Sequence, residues 1–486
     1  MKTLSIIFVL SLTCVLARAQ DTITYLFFGS EFDENAVKAF ESDSGYHFFG
    51  STGARGQSDV YIVEINKDLS NSKFKVIGTS ALELMTDVVA LPGDNYVICN
   101  QYYSGFGSTG FDVQLIVLND DLDIERTTVI EKNGSDKPIQ IFYENGFIYL
   151  LSEALEEESS SDRFQISVFD SLLNRINTFS IQSSDSILNL TISVDSFIYV
   201  GATTRAQDSS HSDISIFKLN QTGLLINSQS IGLNDDEQVS SVLVLNDTNL
   251  LVTGSSNSVY DEDFDSYIAL LDTDLNFQWE EIHGWNPNVN NRDDFGVMTL
   301  WNQGKYFLGL TTNTYGAGKS DFHVYELKSN GSFTKGNSFG LKENEALKHI
   351  SITSDTNLLL FGNSANGNIG QNDFFAVLSP LELSPKPINE YVYSDSLDIQ
   401  LSLDDERVNK TQVVELGKVD NGIAHFYLSN EKPTRYFVSD LSGRQIQSGT
   451  IDSELFKFPI VTSGFYIFSF ENEQGMRSTF KLGVFN

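Results

Sequence analysis

Apolar and polar residues alternate along this chain in short runs that recur at a nearly fixed interval. The clearest run is Lys319-Ser320-Asp321-Phe322-His323-Val324-Tyr325-Glu326-Leu327-Lys328-Ser329-Asn330-Gly331. It has an acidic opening, alternating apolar positions, then Leu and a polar turn. Period-two alternation rich in aromatic and β-branched residues predicts a strand with one face on a core. Copies begin at Asp59, Asp112, Arg163, Asp213, Asp265, Asp321 and, shortened, Asn372, at steps of 53, 51, 50, 52, 56 and 51 residues. A unit of that length holding several short strands points to a propeller or a solenoid.

Each unit divides into four strands, a to d from the axis outward. Strand b is the most regular, as in Tyr46 to Gly50 and Asn357 to Gly362, and strand a precedes it across a tight polar turn such as Pro92-Gly93-Asp94. The run quoted above is strand c. Strand d ends near a glycine, as in Phe74 to Ile77 before Gly78 and Lys335 to Phe339 before Gly340. The last unit, ending at Asp373 to Leu378, has a, b and c but no d. A run of the d type, Ile23-Thr24-Tyr25-Leu26-Phe27-Phe28-Gly29, stands ahead of the first strand a. If it completes the last unit, every strand type occurs seven times, whereas a solenoid would need capped ends and has no use for a displaced strand. The expected fold is all-β: a seven-bladed β-propeller over 20–379, closed by the N-terminal strand. The third copy is the weakest, with Arg163 in place of Asp and an acidic loop, Glu153-Ala154-Leu155-Glu156-Glu157-Glu158, ahead of its strand c.

Pro380, Pro385 and Pro387 predict a semi-extended linker over 380–390. Over 391–486 alternating runs return without the repeat, among them Ile423 to Leu428, Arg435 to Val438 and Gly464 to Phe470, which predicts a small β-sandwich. At the other end, Lys2, an apolar run from Leu4 to Leu16 and Ala17-Arg18-Ala19 predict a signal peptide over 1–19, cleaved after Ala19. The run is too short to anchor the chain, and no later stretch has the roughly 20 apolar residues of a spanning helix, so no transmembrane segment is expected. Cleavage removes Cys14 and leaves Cys99, in Tyr96-Val97-Ile98-Cys99, as a small buried hydrophobe.

Charge narrows the partners. There are 65 acidic residues against 31 basic, a net charge of −34, which repels phosphate backbones and anionic membranes, so nucleic acid is excluded as a partner. Most of that charge reads as a solvated exterior.

Three short patterns imitate catalytic or ligand motifs. Gly336-Asn337-Ser338-Phe339-Gly340 matches G-x-S-x-G but falls in strand d with no helix to make a nucleophile elbow. Gly316-Ala317-Gly318-Lys319-Ser320 imitates the end of a phosphate loop, yet Asn313 stands where the first glycine belongs and the segment joins two strands. Asp261, Asp263 and Asp265 are spaced like Ca²⁺ ligands, with Asp272 placed to close the loop but no glycine to turn it. Ca²⁺ is therefore the one metal the sequence suggests, and no cofactor is implied. His47, His211, His283, His323, His349 and His425 show no metal-ligand spacing. The recurrent Asp opening strand c reads as a structural device that accepts N–H groups of the preceding loop.

Two resemblances follow. The repeat, with Gly or Asn closing strand b, the Gly/Ser loop Gly105-Phe106-Gly107-Ser108-Thr109-Gly110 and then Phe111-Asp112-Val113, resembles bacterial secreted β-propeller repeat proteins. The tail, with Tyr436-Phe437-Val438-Ser439-Asp440-Leu441-Ser442-Gly443-Arg444, Gly464-Phe465-Tyr466-Ile467 and Phe480-Lys481-Leu482, is similar to the C-terminal sorting domain of the type IX secretion system of Bacteroidetes. That resemblance implies export through the periplasm to the cell surface or medium, with Asp440, Gly443, Arg444, Gly464, Tyr466 and Lys481 in the motif read by the outer-membrane translocon.

In a propeller the b-to-c and d-to-a loops share one face. Here they carry Tyr102, Tyr103, Arg205, Tyr260, Trp285, Arg292, Tyr315 and Lys319 as candidate binding residues, with the loop from Gly284 to Arg292 the longest of its kind. The expectation is a secreted or cell-surface protein that holds a glycan, peptide or protein partner on this face without chemistry of its own. A hydrolase or lyase with residues drawn from several blades, and a structural adhesion component, are the alternatives.

Overall fold

The computed structural model describes residues 22–484 apart from 31, 54–57, 79–81, 104–109, 131–134, 155–162, 234, 247, 258–263, 284–293, 303, 366–371, 385, 387, 395–413, 421–422, 429–434, 440–444, 452–454, 460–463 and 472–476. The signal-peptide segment lies outside the described residues.

β1 (Ile23–Gly29) comes first. Blade 1 follows as β2 (Glu34–Glu41), β3 (Gly45–Thr52), β4 (Asp59–Asn66) and β5 (Ser72–Ile77), and blade 2 as β6 (Leu82–Leu91), β7 (Asn95–Tyr103), β8 (Asp112–Leu118) and β9 (Ile124–Ile130). Blade 3 is β10 (Asp136–Glu144), β11 (Phe147–Ala154), β12 (Phe164–Phe169) and β13 (Arg175–Ser180); blade 4 is β14 (Ser186–Val194), β15 (Ile198–Arg205), β16 (Asp213–Leu219) and β17 (Leu225–Ile231). Blade 5 is β18 (Glu237–Asn246), β19 (Asn249–Ser256), β20 (Asp265–Asp272) and β21 (Phe277–His283); blade 6 is β22 (Asp294–Asn302), β23 (Lys305–Thr312), β24 (Asp321–Lys328) and β25 (Phe333–Phe339). Blade 7 has β26 (Glu345–Ile352), β27 (Asn357–Ser364) and β28 (Asp373–Pro380), and its sheet runs β26-β27-β28-β1-β29, where β29 is Ile388–Ser394. The architecture is a seven-bladed β-propeller, with no helix among the described residues.

Core side chains gather between blades. Phe307, Phe322 and Val324 of blade 6 pack on Leu347, Leu358 and Phe375 of blade 7, and Phe361 and Phe374 on the other side of blade 7 pack on Phe48 and Tyr61 of blade 1. Strand c is buried along nearly its whole length because both of its faces meet neighbouring blades. Strand a carries a bulge near its start in all seven blades, as between Ala36 and Lys38 and between Leu347 and His349. The N–H groups there reach hydroxyls or amides of the preceding blade: Met85 donates to Ser51, Val239 to Thr203, Leu347 to Thr311 and Ala36 to Asn363, at 2.9 to 3.0 Å. A bulge therefore serves as an inter-blade contact.

The c-to-d turns repeat a second device. Leu69, Leu122, Leu173, Leu275 and Leu383 sit at φ between 49° and 68°, a region that leucine avoids, and each donates its N–H to the carbonyl three residues back. All five side chains are buried. Blades 4 and 6 have Gly223 and Gly331 at this position, and a Cβ there would meet the ring of Phe179 or Trp279 from the preceding blade at 2.2 and 2.7 Å. The gap between blades is thus filled once, by the turn's own leucine or by a neighbour's aromatic ring.

The same device follows β28. Pro380 to Leu383 forms the seventh such turn, with Leu383 in the core, and the chain re-enters a ladder at β29, parallel to β1 from Ile23↔Ile388 to Gly29↔Ser394. Pro380, as the last residue of β28, leaves the ladder N–H groups untouched. Beyond it, β30 (Val414–Asp420), β31 (Ile423–Leu428), β32 (Arg435–Ser439), β33 (Gln445–Thr450), β34 (Leu455–Pro459), β35 (Gly464–Glu471) and β36 (Arg477–Val484) form two sheets, ordered β30-β31-β34 and β33-β32-β35-β36.

Candidate functional site

The loop end of the blades is organised by acids. Strand c of blade 1 opens on Asp59, and Glu83 is the second residue of strand a of blade 2. The corresponding residues at other junctions are Asp112 and Asp136, Asp213 and Glu237, Asp265 and Asp294, Asp321 and Glu345, and Asp373 with Glu34 where blade 7 meets blade 1. At all six, the N–H of the strand-a acid donates to the carbonyl of the residue preceding the strand-c Asp, at 2.6 to 2.9 Å. Asp213 is half-buried and the others are at least nine-tenths buried.

Three junctions share finer detail. Glu34 accepts hydrogen bonds from the Ser30 hydroxyl at 2.5 Å, the Thr52 hydroxyl at 3.1 Å and the Ser30 N–H at 3.3 Å. Glu237 accepts from the Ser256 hydroxyl and the Leu233 N–H, and Glu345 from the Ser364 hydroxyl and the Leu341 N–H, at 2.7 to 2.9 Å. Strand d of the preceding blade gives way to glycine at each: a Cβ on Gly29, Gly232 or Gly340 would stand 2.4, 2.5 or 2.0 Å from the oxygen of Asp373, Asp213 or Asp321. The glycines are there because carboxyl groups occupy the space a side chain would need. Burial above all, with the charge of Asp373 adding to it against the Ser30 hydroxyl, pushes Glu34 up to about 8. Asp213 and Asp321 are also raised, by burial first.

Only the junction of blades 3 and 4 departs. Arg163 stands for Asp, Ile181 follows strand d, and strand a opens on Ser186. Arg163 turns instead to Glu153 at 2.5 to 2.9 Å and covers the Phe164 ring at 4.8 Å.

The recurrent Asp was legible as a loop acceptor, and Asp321 does accept the Gly318 N–H at 3.1 Å. The strand-a acid has no such mark, because a polar residue at a strand's first positions reads as part of the preceding loop. Its signal was Gly, four residues, Glu, as in Gly29 to Glu34, Gly78 to Glu83, Gly232 to Glu237 and Gly340 to Glu345.

The described sequence-selected binding residues lie on this end, spread over blades 2, 4 and 6. Tyr102 and Tyr103 close β7; Tyr103 is exposed and tilts against Phe111 at 5.2 Å, while the Tyr102 hydroxyl is pushed up by burial and by Glu83 and Asp112. Arg205 ends β15, 3.9 Å from Asp236. Tyr315 is half-buried, stacked on His323 at 5.1 Å, and Lys319 pairs with Glu343 at 2.7 Å. Tyr315 is therefore packing, and Lys319 and Arg205 are exposed but already facing acids. Tyr260, Trp285 and Arg292, with Asp261 and Asp263, lie outside the described residues, as do Asp440, Gly443 and Arg444. Gly464 and Tyr466 are in β35 and Lys481 in β36, on paired strands.

Asp272 cannot close a Ca²⁺ loop with Asp265. The two residues occupy opposite ends of β20, about 23 Å apart at the usual rise of a strand. Asp272 holds the c-to-d turn by accepting the N–H groups of Asp274 and Asn276, and Asp265 belongs to the inter-blade acids. Among the described residues no group of three or more His, Cys, Asp or Glu is arranged to hold a metal. Cys99 is buried and its thiol pushed well up.

Ser338 of the G-x-S-x-G segment lies in β25, with its hydroxyl 2.8 Å from His323 Nδ1. Burial pushes His323 down to about 4, so the imidazole stays neutral, and the serine is on a flat strand that gives it no elbow. In Gly316 to Ser320 the loop N–H groups serve protein oxygens, Gly318 to Asp321 and Lys319 to the Glu343 carbonyl, in place of a phosphate. A cavity of about 330 Å³ opens at the opposite, turn end of the ring, between the inner strands of blades 3, 4 and 5, lined by Phe142, Glu144, Asp195, Leu243 and Leu245 among others. No helix among the described residues is long and apolar enough to cross a membrane.

Comparison with solved structures finds propellers at low identity. The β-propeller domain of the Trilobed protease from Pyrococcus furiosus aligns at a TM-score of 0.45 and 12% identity over 72% of this chain and 94% of that one. A protein of unknown function from Bacteroides caccae gives 0.37 and 12% over 60% and 93%. Pyrococcus horikoshii acylaminoacyl peptidase gives 0.40 and 13% over 68% of this chain and 49%, about half, of its own length. No family profile and no curated protein sequence matches the chain.

Proposed function

We propose that the protein is a secreted or cell-surface binding protein that holds a glycan, peptide or protein partner on the loop face of its propeller. One observation carries this reading. Six of the seven junctions are pinned at the loop end by the same peptide hydrogen bond and acid pair, so the loops project from a rigid rim, the usual setting for recognition by loops. Tyr103 and Arg205 stand exposed on that rim. The test is binding of the mature chain to a glycan array and to cell-envelope fractions. Tyr103→Ala and Arg205→Ala are expected to weaken binding by tenfold or more, and unaltered binding in both removes the loop face.

The same reading takes the pairing of β1 with β28 as the closure of the ring and residues 391–486 as a β-sandwich sorting domain for type IX export from a Bacteroidetes cell. Removing 391–486 is then expected to leave the protein in the periplasm.

A further inference from the structure

Each blade ends outward in a strand whose far side has no neighbour within its own blade: β5, β9, β13, β17, β21 and β25 in blades 1 to 6, and β1 in blade 7. Such an edge offers its peptide groups to any other strand, and charged side chains are the usual protection against that. Five of the seven carry it, with Lys73 and Lys75 in β5, Glu125 and Arg126 in β9, Arg175 in β13, Glu280 and Glu281 in β21 and Lys335 in β25. Two strands have no charge, β1 and β17. β1 is covered, because β29 pairs along its whole length from Ile23↔Ile388 to Gly29↔Ser394. β17 is the last strand of its sheet among the described residues.

β17, Leu225-Ile226-Asn227-Ser228-Gln229-Ser230-Ile231, is also the most exposed of the seven, with its first six residues open to solvent. Leu224, Leu225 and Ile226 are 67, 48 and 50% exposed at one end, and Leu233 is 38% exposed beyond the other. From Leu219 to Asn234 there is no charged residue, in a chain of net charge −34. Local side chains meet the peptide groups of the strand: the Ser228 N–H donates to Asn227 Oδ1 at 2.9 Å, and the Ser230 carbonyl accepts from the Gln229 side-chain amide at 2.8 Å. Contacts of this kind compete with a ladder and can be exchanged for one.

We propose that β17 is a dimerisation edge, pairing antiparallel with β17 of a second copy of this chain across a two-fold axis, so that the two blade-4 sheets join. Charge and symmetry select this occupant. Two molecules of net charge −34 repel each other, and this edge lets them approach over a stretch that carries no carboxylate. Pairing about Ser228 sets Leu225 against Ile231, Ile226 against Ser230 and Asn227 against Gln229 on both sides of the axis, with Ser228 opposite its own copy. Apolar ends meet apolar ends and amide meets amide, which is the self-complementarity that an isologous contact requires. β29 on β1 is the same kind of contact made within one chain, a further strand added to the outer edge of a blade.

The experiment is sedimentation velocity of the full mature chain from about 1 to 100 µM, with Ser228→Lys and Ser228→Glu beside it. The wild type is expected to pass from monomer to dimer across that range. Each variant sets like charges against each other at the axis and is expected to raise the dissociation constant about tenfold or more, while an equimolar mixture of the two sets Lys against Glu and should regain the dimer. Ser228 is exposed, and an unchanged denaturation midpoint in both variants shows that they fold. Thr127→Lys, on the outer strand of blade 2, should leave the equilibrium as it is in the wild type. A wild type that stays monomeric throughout, or a dimer that neither Ser228 variant weakens, overturns the proposal. A mixture of folded variants that stays monomeric overturns the two-fold pairing about Ser228.

Discussion

The two ends of each blade are fastened by opposite chemistry. At the loop end, buried acids, hydroxyls and peptide groups tie strand a of one blade to strand c of the last. At the turn end, a leucine held at positive φ, or an aromatic ring lent by the preceding blade, plugs the same gap with carbon. The polar end depends on hydrogen bonds with fixed partners; the apolar end depends on volume. Burying a leucine returns about 2 to 3 kcal/mol, which exceeds the roughly 1 kcal/mol or more that a positive φ costs a non-glycine residue, so the strained turn is kept.

Substitutions at the two ends sharpen this contrast. Gly340→Val is expected to be the most damaging, with a loss of more than about 3 kcal/mol by denaturant titration, because the new side chain collides with Asp321 and Glu345. Leu275→Ala opens a cavity at the turn end and keeps the strained φ, so about 2 to 3 kcal/mol is expected; Leu275→Gly should recover part of that by relieving the backbone. The Leu275 deficit should be equal at pH 5 and pH 9, unlike the contribution of Glu34, whose carboxyl burial pushes up to about 8 and whose stabilisation is lost as pH rises through that value. Thr203→Val removes the hydroxyl that takes the Val239 N–H and is expected to cost about 1 to 2 kcal/mol in the same titration. Lys319→Ala, at an exposed pair with Glu343, should change stability by less than about 0.5 kcal/mol and fade further in high salt.

The junction of blades 3 and 4 shows which residues act as a unit. The Asp opening strand c and the acid at the start of strand a are absent together there, and Arg163 takes a different partner within its own blade. A lone replacement at another junction would leave a buried carboxyl facing a group of the wrong kind, which is the more costly condition.

The alternation of apolar positions and the 50-residue spacing determined by themselves that the chain is all-β and has seven blades, since period-two patterning and repeat count are properties of local sequence. So were the acceptor role of the strand-c Asp and the burial of Cys99. Tertiary structure decided what those residues face. Asp321 and Glu345 are 24 positions apart in the chain, and nothing in their spacing says that two like charges will be buried together. Likewise Pro380 to Leu383 reads as linker by composition, and only the space between blades 6 and 7 makes Leu383 a core residue. Proximity across a blade junction arises from how sheets stack, and local pattern does not encode it.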